Sequence, residues 1–308
     1  MASRILIAAP RGWCAGVDRA VEIVEKAIDK FGAPIYVRKQ IVHNLHVVRS
    51  LEERGAIFVE SEDEVPEGAN CVLSAHGVSP AVYENSGRRR LNVIDATCPL
   101  VTKVHIEARR FSRQGKTIFL IGHQGHEEIE GTAGEAPSQT VVIERPEDIE
   151  GVHIADPGNV AFLSQTTLAV DDTREVIDAL RSRFPAIAGP RHDDICYASQ
   201  NRQAAVKAVA ARADVVFVVG SKNSSNSNRL VEVAREVGAT AFLIEDETSI
   251  DPAVVDAAEV IGISSGASTP EVLVGRVVDY LARRGVKDVE EVMVAQEDVR
   301  FPLPSGLD

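Results

Sequence analysis

Short runs of β-branched and aliphatic residues alternate along the chain with longer stretches whose apolar positions recur at helical spacing. The runs predict strands at residues 4–9, 35–37, 71–74, 92–94, 117–121, 160–163, 215–219, 241–244 and 260–263. The amphipathic stretches predict helices at 17–30, 44–54, 100–114, 172–183, 200–211, 228–237 and 270–283. Strands separated by helix-length segments indicate parallel α/β architecture, in which ligands gather in the loops after the carboxyl ends of the strands.

Those loops hold a recurring set of residues. Cys14 is followed 29 residues later by His43, after the strand at 35–37, and 33 later still by His76, after the strand at 71–74. Cys98 is followed after 28 residues by His126 and after another 40 by Thr166; Cys196 is followed after 28 by Ser224 and after another 44 by Ser268. A cycle of cysteine, polar loop and second polar loop therefore occurs three times, at a period of roughly 85 to 100 residues. Spacings of 29, 28 and 28 agree better than ordinary loop-length scatter. The cycle predicts three similar α/β units, residues 1–97, 98–195 and 196–283, followed by a tail, 284–308, with three cysteines and six polar loops around one axis. Cys71 stands outside the cycle, opens a strand and reads as a small buried hydrophobe.

Charge narrows the function. The 308 residues carry 33 basic and 46 acidic side chains, a net charge of −13, which argues against a nucleic-acid or anionic-membrane partner. No apolar run approaches the roughly 18 residues of a membrane span. At the N-terminus, Pro10-Arg11 stops the apolar run Ile5 to Ala9 short of a signal sequence, so a cytoplasmic location is expected. Four widely spaced cysteines make no disulfide framework; in a reducing compartment they are core residues, ligands or nucleophiles.

The motifs at these positions have specific chemistry beside ordinary alternatives. Gly12-Trp13-Cys14-Ala15-Gly16, Thr97-Cys98-Pro99 and Asp194-Ile195-Cys196-Tyr197 each place a cysteine at or just before a helix, where unpaired amides favour a thiolate. Thr97 is a candidate cap and Pro99 suits a first turn. Three isolated thiolates match neither a zinc finger nor a ferredoxin run, and suit a cubane iron–sulfur cluster with one iron lacking a protein ligand; as the plain alternative they are packing residues. Residues 220–228 join a strand to a helix with hydroxyls and amides fit to hold an anion, and lack the Lys-Ser/Thr of a P-loop. Ser268-Thr269-Pro270-Glu271 also fits a capping box. His76 and His126 can donate to a phosphate when protonated, or be merely solvated. Glu128 is either a carboxyl held protonated in a dehydrated site or, with Glu127 and Glu130, part of an ordinary acidic first turn.

Taken together, Pro-Arg-Gly-Trp-Cys14-Ala-Gly-Val-Asp-Arg-Ala, Ile-Val-His43-Asn, Ser-Ala-His76-Gly-Val-Ser, Asp-Ala-Thr-Cys98-Pro-Leu-Val, Gly-His126-Glu-Glu128, Ser-Gln-Thr166-Thr167-Leu, Asp-Asp-Ile-Cys196-Tyr-Ala, Gly-Ser-Lys-Asn-Ser224-Ser225-Asn226-Ser-Asn-Arg-Leu and Ser-Gly-Ala-Ser268 carry a family resemblance. From about residue 4 to 282 the chain resembles the LytB-type 4-hydroxy-3-methylbut-2-enyl diphosphate reductases of the methylerythritol phosphate pathway. The resemblance implies a clover-like, pseudo-three-fold arrangement of three α/β units around a central 4Fe-4S cluster held by Cys14, Cys98 and Cys196, its fourth iron open to the substrate hydroxyl. It implies diphosphate binding by His43, His76, His126, Ser224, Ser225, Asn226 and Ser268, positioning of the hydroxyl by Thr166, and proton delivery by Glu128. The implied reaction is reductive dehydroxylation, two electrons and two protons giving isopentenyl and dimethylallyl diphosphate, with a ferredoxin or flavodoxin as electron donor. Trp13 stands where the family commonly has Phe, and Glu127 where Pro is frequent. Two other readings of the same residues are a Cys/His zinc hydrolase, which would be colourless, and a non-enzymatic cluster-bearing sensor, which would show no turnover.

Overall fold

A computed structural model of the chain describes residues 2–307. In chain order the strands are β1 (Arg4–Ala9), β2 (Ile35–Arg38), β3 (Ala56–Val59), β4 (Asn70–Leu73), β5 (Asn92–Asp95), β6 (Thr117–Ile121), β7 (Thr140–Ile143), β8 (Val160–Ser164), β9 (Val215–Val219), β10 (Thr240–Ile244), β11 (Val260–Ser265) and β12 (Asp288–Met293). The helices are α1 (Ala15–Phe31), α2 (Leu45–Glu53), α3 (Pro80–Arg88), α4 (Pro99–Arg113), α5 (Glu127–Ala133), α6 (Val170–Arg183), α7 (Tyr197–Ala210), α8 (Ser225–Glu236), α9 (Pro252–Ala257) and α10 (Glu271–Arg283). They build three sheets of parallel strands, ordered β10-β9-β11-β1-β12, β3-β2-β4-β5 and β7-β6-β8. The chain divides into two compact units. Met1–Asp18, His43–Val47 and Tyr197–Arg300 form the first, which holds the five-stranded sheet; Arg19–Val42, Val48–Cys196 and Phe301–Asp308 form the second, which holds the other two.

The sheets repeat one plan. In each, one strand (β2, β6 or β9) leads to the first polar loop of the cycle, and its neighbour (β4, β8 or β11) leads to the second. The next position, β5, β1 or a single parallel bridge from Ala161 to Ala188, leads to a cysteine. The frame differs from the expected division at residues 97, 195 and 283, because each sheet closes on a cysteine instead of opening on one. β1 lies between β11 and β12, with Arg4 opposite both Val260 and Asp288, so residues 4–9 join the sheet of the third unit. The reason is burial: Ile5, Leu6 and Ala8 are at most 1 % exposed, and only a central strand has cover on both faces. The tail contributes β12 to the same sheet.

Three strands absent from the sequence pattern, β3, β7 and β12, are all sheet edges with incomplete burial. The short helices α3, α5 and α9 were likewise below its reach. Cys71 is fully buried within β4, as a small hydrophobe should be.

In the first unit the central run Val215–Val219 is apolar on both faces. Val215, Phe217 and Val219 pack with Ile5, Ile261, Ile263, Leu273 and Val277 on one face, where α10 lies. Val216 and Val218 pack with Val206, Leu230 and Ala234 of α7 and α8 on the other. In the second unit Phe119 and Phe162 face Val176 and Leu180 of α6, while Ile118 and Leu120 face Val104 and Phe111 of α4. Among the described residues no helix is long and apolar enough to cross a membrane.

Gly262, in the middle of β11, is required by this layering. A Cβ there would lie 2.6 Å from Val209 Cγ1 of α7 and 3.0 Å from Val216 Cγ2 of β9. Gly262→Ala is expected to overpack the interface and lower unfolding free energy by about 1–3 kcal/mol. The check is a drop in the urea midpoint at unchanged slope.

Candidate functional site

The second unit carries a carboxyl group removed from water. β6 ends at Ile121, and His126 caps the N-terminus of α5, its Nδ1 accepting a hydrogen bond from the Glu128 amide at 3.1 Å. The following turn buries Glu128 to 2 % exposure. There its Oε1 accepts from the Thr166 amide at 2.6 Å and its Oε2 from the Thr166 hydroxyl at 3.0 Å; Thr166, itself 4 % exposed, follows β8. Burial pushes the Glu128 pKa up, and the two bonds from Thr166 offset that only in part.

Its neighbour is pushed the other way. Burial raises Glu127 as well, but His76, whose Nδ1 lies 3.2 Å from Glu127 Oε2, together with the charge of Lys39, leaves its pKa below the usual range. Two adjacent carboxyls thus favour opposite protonation states, which an acidic first turn placed only to suit the helix dipole does not explain. The His76 and His126 rings meet edge to face at 5.7 Å. Burial, then the neighbouring His76, lowers the His126 pKa to about 4. His126 is therefore neutral near pH 7, and since its Nδ1 accepts, its proton is on Nε2. It is a neutral donor, where the sequence suggested a charged one.

The first unit gathers five of the other residues, His43, Ser224, Ser225, Asn226 and Ser268. Ser224 caps α8, its Oγ accepting from the Ser227 amide at 3.2 Å, and half-buried Ser225 opens the helix. Asn226 Oδ1 accepts from the Ala267 amide at 2.8 Å. The Ser268 hydroxyl donates to the His43 carbonyl at 2.9 Å, and Asn223 Nδ2 lies 3.4 Å from His43 Nδ1. Ser268 is thus not the cap of α10, a position taken by Pro270. Likewise Cys98, not Thr97, is the N-cap residue of α4. Residues the sequence did not single out complete this region: Asn44 caps α2 through Oδ1, and Ser199, in the first turn of α7, lies 3.4 Å from Asn226 Nδ2. A polar residue just after a candidate ligand was the available signal for each.

Cys14, Cys98 and Cys196 stand immediately before α1, α4 and α7, partly exposed and outside any disulfide. Each amide donates to the second polar loop of a sheet: Cys98 to the carbonyl of Ala75, next to His76, at 3.0 Å; Cys196 to that of Thr166 at 3.0 Å; and Cys14 to that of Ala267, next to Ser268, at 3.2 Å. Cys71, by contrast, is wholly buried, and its thiol is pushed up to about 11. Three equivalent, accessible soft donors fit an iron–sulfur cluster, and the buried fourth does not.

Parallel α/β sheets in a repeated plan, each leading to a helix-start cysteine and to polar loops after neighbouring strands, define an α/β protein of repeated units. Residues 5–282 match the LytB protein family, and the chain belongs to it. A 4-hydroxy-3-methylbut-2-enyl diphosphate reductase from Acidothermus cellulolyticus is 59 % identical over 305 residues, 99 % of this chain and 90 % of that one. The Tropheryma whipplei enzyme of the same name is 56 % identical over 308 residues, 100 % of this chain and 98 % of its own. The solved E-1-hydroxy-2-methyl-but-2-enyl-4-diphosphate reductase of Plasmodium falciparum superposes with a TM-score of 0.95 at 36 % identity, covering 99 % of this chain and 96 % of that one.

Glu128→Gln keeps size and hydrogen-bonding reach but cannot deliver a proton. It is expected to lower kcat by roughly two to four decades with KM little changed. Glu127→Gln removes the carboxylate beside His76 and is expected to raise KM less than about tenfold while sparing kcat. Steady-state kinetics of the two variants, side by side, is the check. The depressed His126 pKa has a second consequence. Because the folded value of about 4 lies below the ordinary 6.5, this group's contribution to stability is present above pH 6.5 and is lost as pH falls toward 4. His126→Gln is expected to flatten that loss in urea melts across the same window.

Proposed function

We propose that the chain reduces (E)-4-hydroxy-3-methylbut-2-enyl diphosphate to isopentenyl and dimethylallyl diphosphate, the terminal step of the non-mevalonate isoprenoid pathway. One carbon–oxygen bond breaks, two electrons and two protons enter, and one water leaves. The observation that carries this reading is the pair of adjacent carboxyls, Glu128 sealed against Thr166 and favouring its neutral form while Glu127 is ionised. Loss of an allylic hydroxyl is slow unless a proton arrives with it, and a buried carboxyl whose pKa is pushed up beside a threonine hydroxyl is suited to that transfer.

Cys14, Cys98 and Cys196 are the residues that would hold a 4Fe-4S cluster, which when bound supplies electrons and an iron open to the substrate oxygen. The chain's own side chains do the remaining work. Thr166, anchored to Glu128 through amide and hydroxyl, orients the substrate hydroxyl, and Glu128 gives up its proton to it. His126 donates through Nε2–H without carrying charge. His43, His76, Ser224, Ser225, Asn226 and Ser268 bind the diphosphate on this reading, with Ser224, Ser225 and Asn226 at the α8 N-terminus, where helix-start amides favour an anion. A ferredoxin or flavodoxin in the cytoplasm is the electron source on this reading.

Quantifying iron and sulfide after anaerobic purification tests the assignment. Cys14→Ser, Cys98→Ser and Cys196→Ser are each expected to lose the cluster, and Cys71→Ser to keep it; normal content in any of the first three refutes the ligand set. Wild-type protein given a strong reductant and the allylic diphosphate is expected to release both products. A colourless protein with stoichiometric zinc would overturn the whole reading.

A further inference from the structure

The loops that precede the cysteines are held by a basic device used three times. Arg19 is on α1, five positions beyond Cys14; Lys103 is on α4, five beyond Cys98; Arg202 is on α7, six beyond Cys196. Each reaches the backbone carbonyls that precede the next cysteine in the cycle. Arg19 donates to the Thr97 carbonyl at 3.1 Å, one residue before Cys98. Lys103 donates to the carbonyls of His192 and Asp193 at 3.0 and 2.7 Å, just before Cys196. Arg202, wholly buried, donates to the Gly12 carbonyl at 3.0 and 2.7 Å and to the Trp13 carbonyl at 3.1 Å, just before Cys14. An acid stands beside each cation: Asp95 near Arg19, Asp194 Oδ1 3.7 Å from Lys103, and Glu297 Oε1 3.0 Å from Arg202. Glu297 belongs to the tail after residue 284, beyond β12.

Peptide planarity turns this grip into aim. The carbonyl of one residue and the amide of the next point in opposite directions across one rigid group. By holding the Trp13 oxygen, Arg202 directs the Cys14 amide away from itself, toward Ala267; by holding the Thr97 oxygen, Arg19 directs the Cys98 amide toward Ala75. Lys103 grips the chain two peptides further back and fixes the approach to Cys196. A generic surface arginine needs no such partner, and three unrelated helices would not each supply one five or six positions after a cysteine.

We propose that Arg19, Lys103 and Arg202 are positioning residues for Cys14, Cys98 and Cys196, fixing the three loops before metal is bound and adding positive charge beside the thiolates. The inference rests on the assignment of those cysteines as cluster ligands. It is tested at Arg19 and Lys103, both partly exposed on helices, so that loss of the cation does not require loss of the fold. In reconstituted holoprotein, Arg19→Met and Lys103→Met are expected to release iron to a chelator about tenfold faster than wild type, and Lys103→Arg to restore the slow rate. A redox titration of the same samples is expected to move the cluster midpoint to more negative potential in the Met variants, because each removes a positive charge that favours the reduced state. Wild-type release in both Met variants overturns the inference, as does equally fast release from Lys103→Arg and Lys103→Met. Cys98→Ser is run in the same series. Full iron and sulfide there would refute the ligand assignment itself, whereas its loss beside wild-type behaviour of the Met variants refutes only the positioning role.

Discussion

A backbone hydrogen bond from each cysteine to the loop at the end of the neighbouring strand is the interaction on which the chemistry depends. It is made three times, to Ala267, Ala75 and Thr166. It joins the cysteine backbone to the residue before Ser268, to the residue before His76, and to Thr166 itself. A parallel sheet makes this possible, since adjacent strands end at the same level and their loops emerge side by side. Side-chain chemistry can then differ among the three places, hydroxyl in one, imidazole in another, threonine backed by a carboxyl in the third, while the main-chain geometry is shared.

That difference explains why the acid is found in only one place. Holding a carboxyl in its neutral form takes exclusion of water without an abundance of compensating charge, and Glu128 has both: full burial and a partner, Thr166, that is polar but uncharged. One residue earlier, Glu127 lies within reach of His76 and Lys39 and is ionised. A shift of one position along α5 reverses the direction in which the carboxyl's pKa is displaced.

Much of this was legible in the sequence because central parallel strands are apolar on both faces. Val215–Val219 and Arg4–Ala9 announce themselves as such, and the cysteine spacing discloses the repeat. The pattern could not say which sheet β1 joins, since every central strand of a parallel sheet looks alike and its partners, β11 and β12, lie more than 250 residues away. Edge strands such as Asp288–Met293, half acidic and largely exposed, resemble exposed loop. Candidate site residues were found by chemistry at strand ends; what escaped was whatever depends on depth. Ser268 fitted a cap and donates instead to His43, and His126 looked like a charged donor and is neutral.

The position of β1 has a bearing on biosynthesis. During translation β1 leaves the ribosome first, yet its two neighbours are made last, so an almost wholly apolar strand must wait for nearly the whole chain to be synthesised. Sheets whose strands are contiguous in sequence can close while elongation proceeds, but the one that supports Cys14 cannot. Long-range parallel pairing of this kind folds slowly and leaves a sticky edge open meanwhile. Chaperone dependence of nascent chains should therefore centre on residues 4–9.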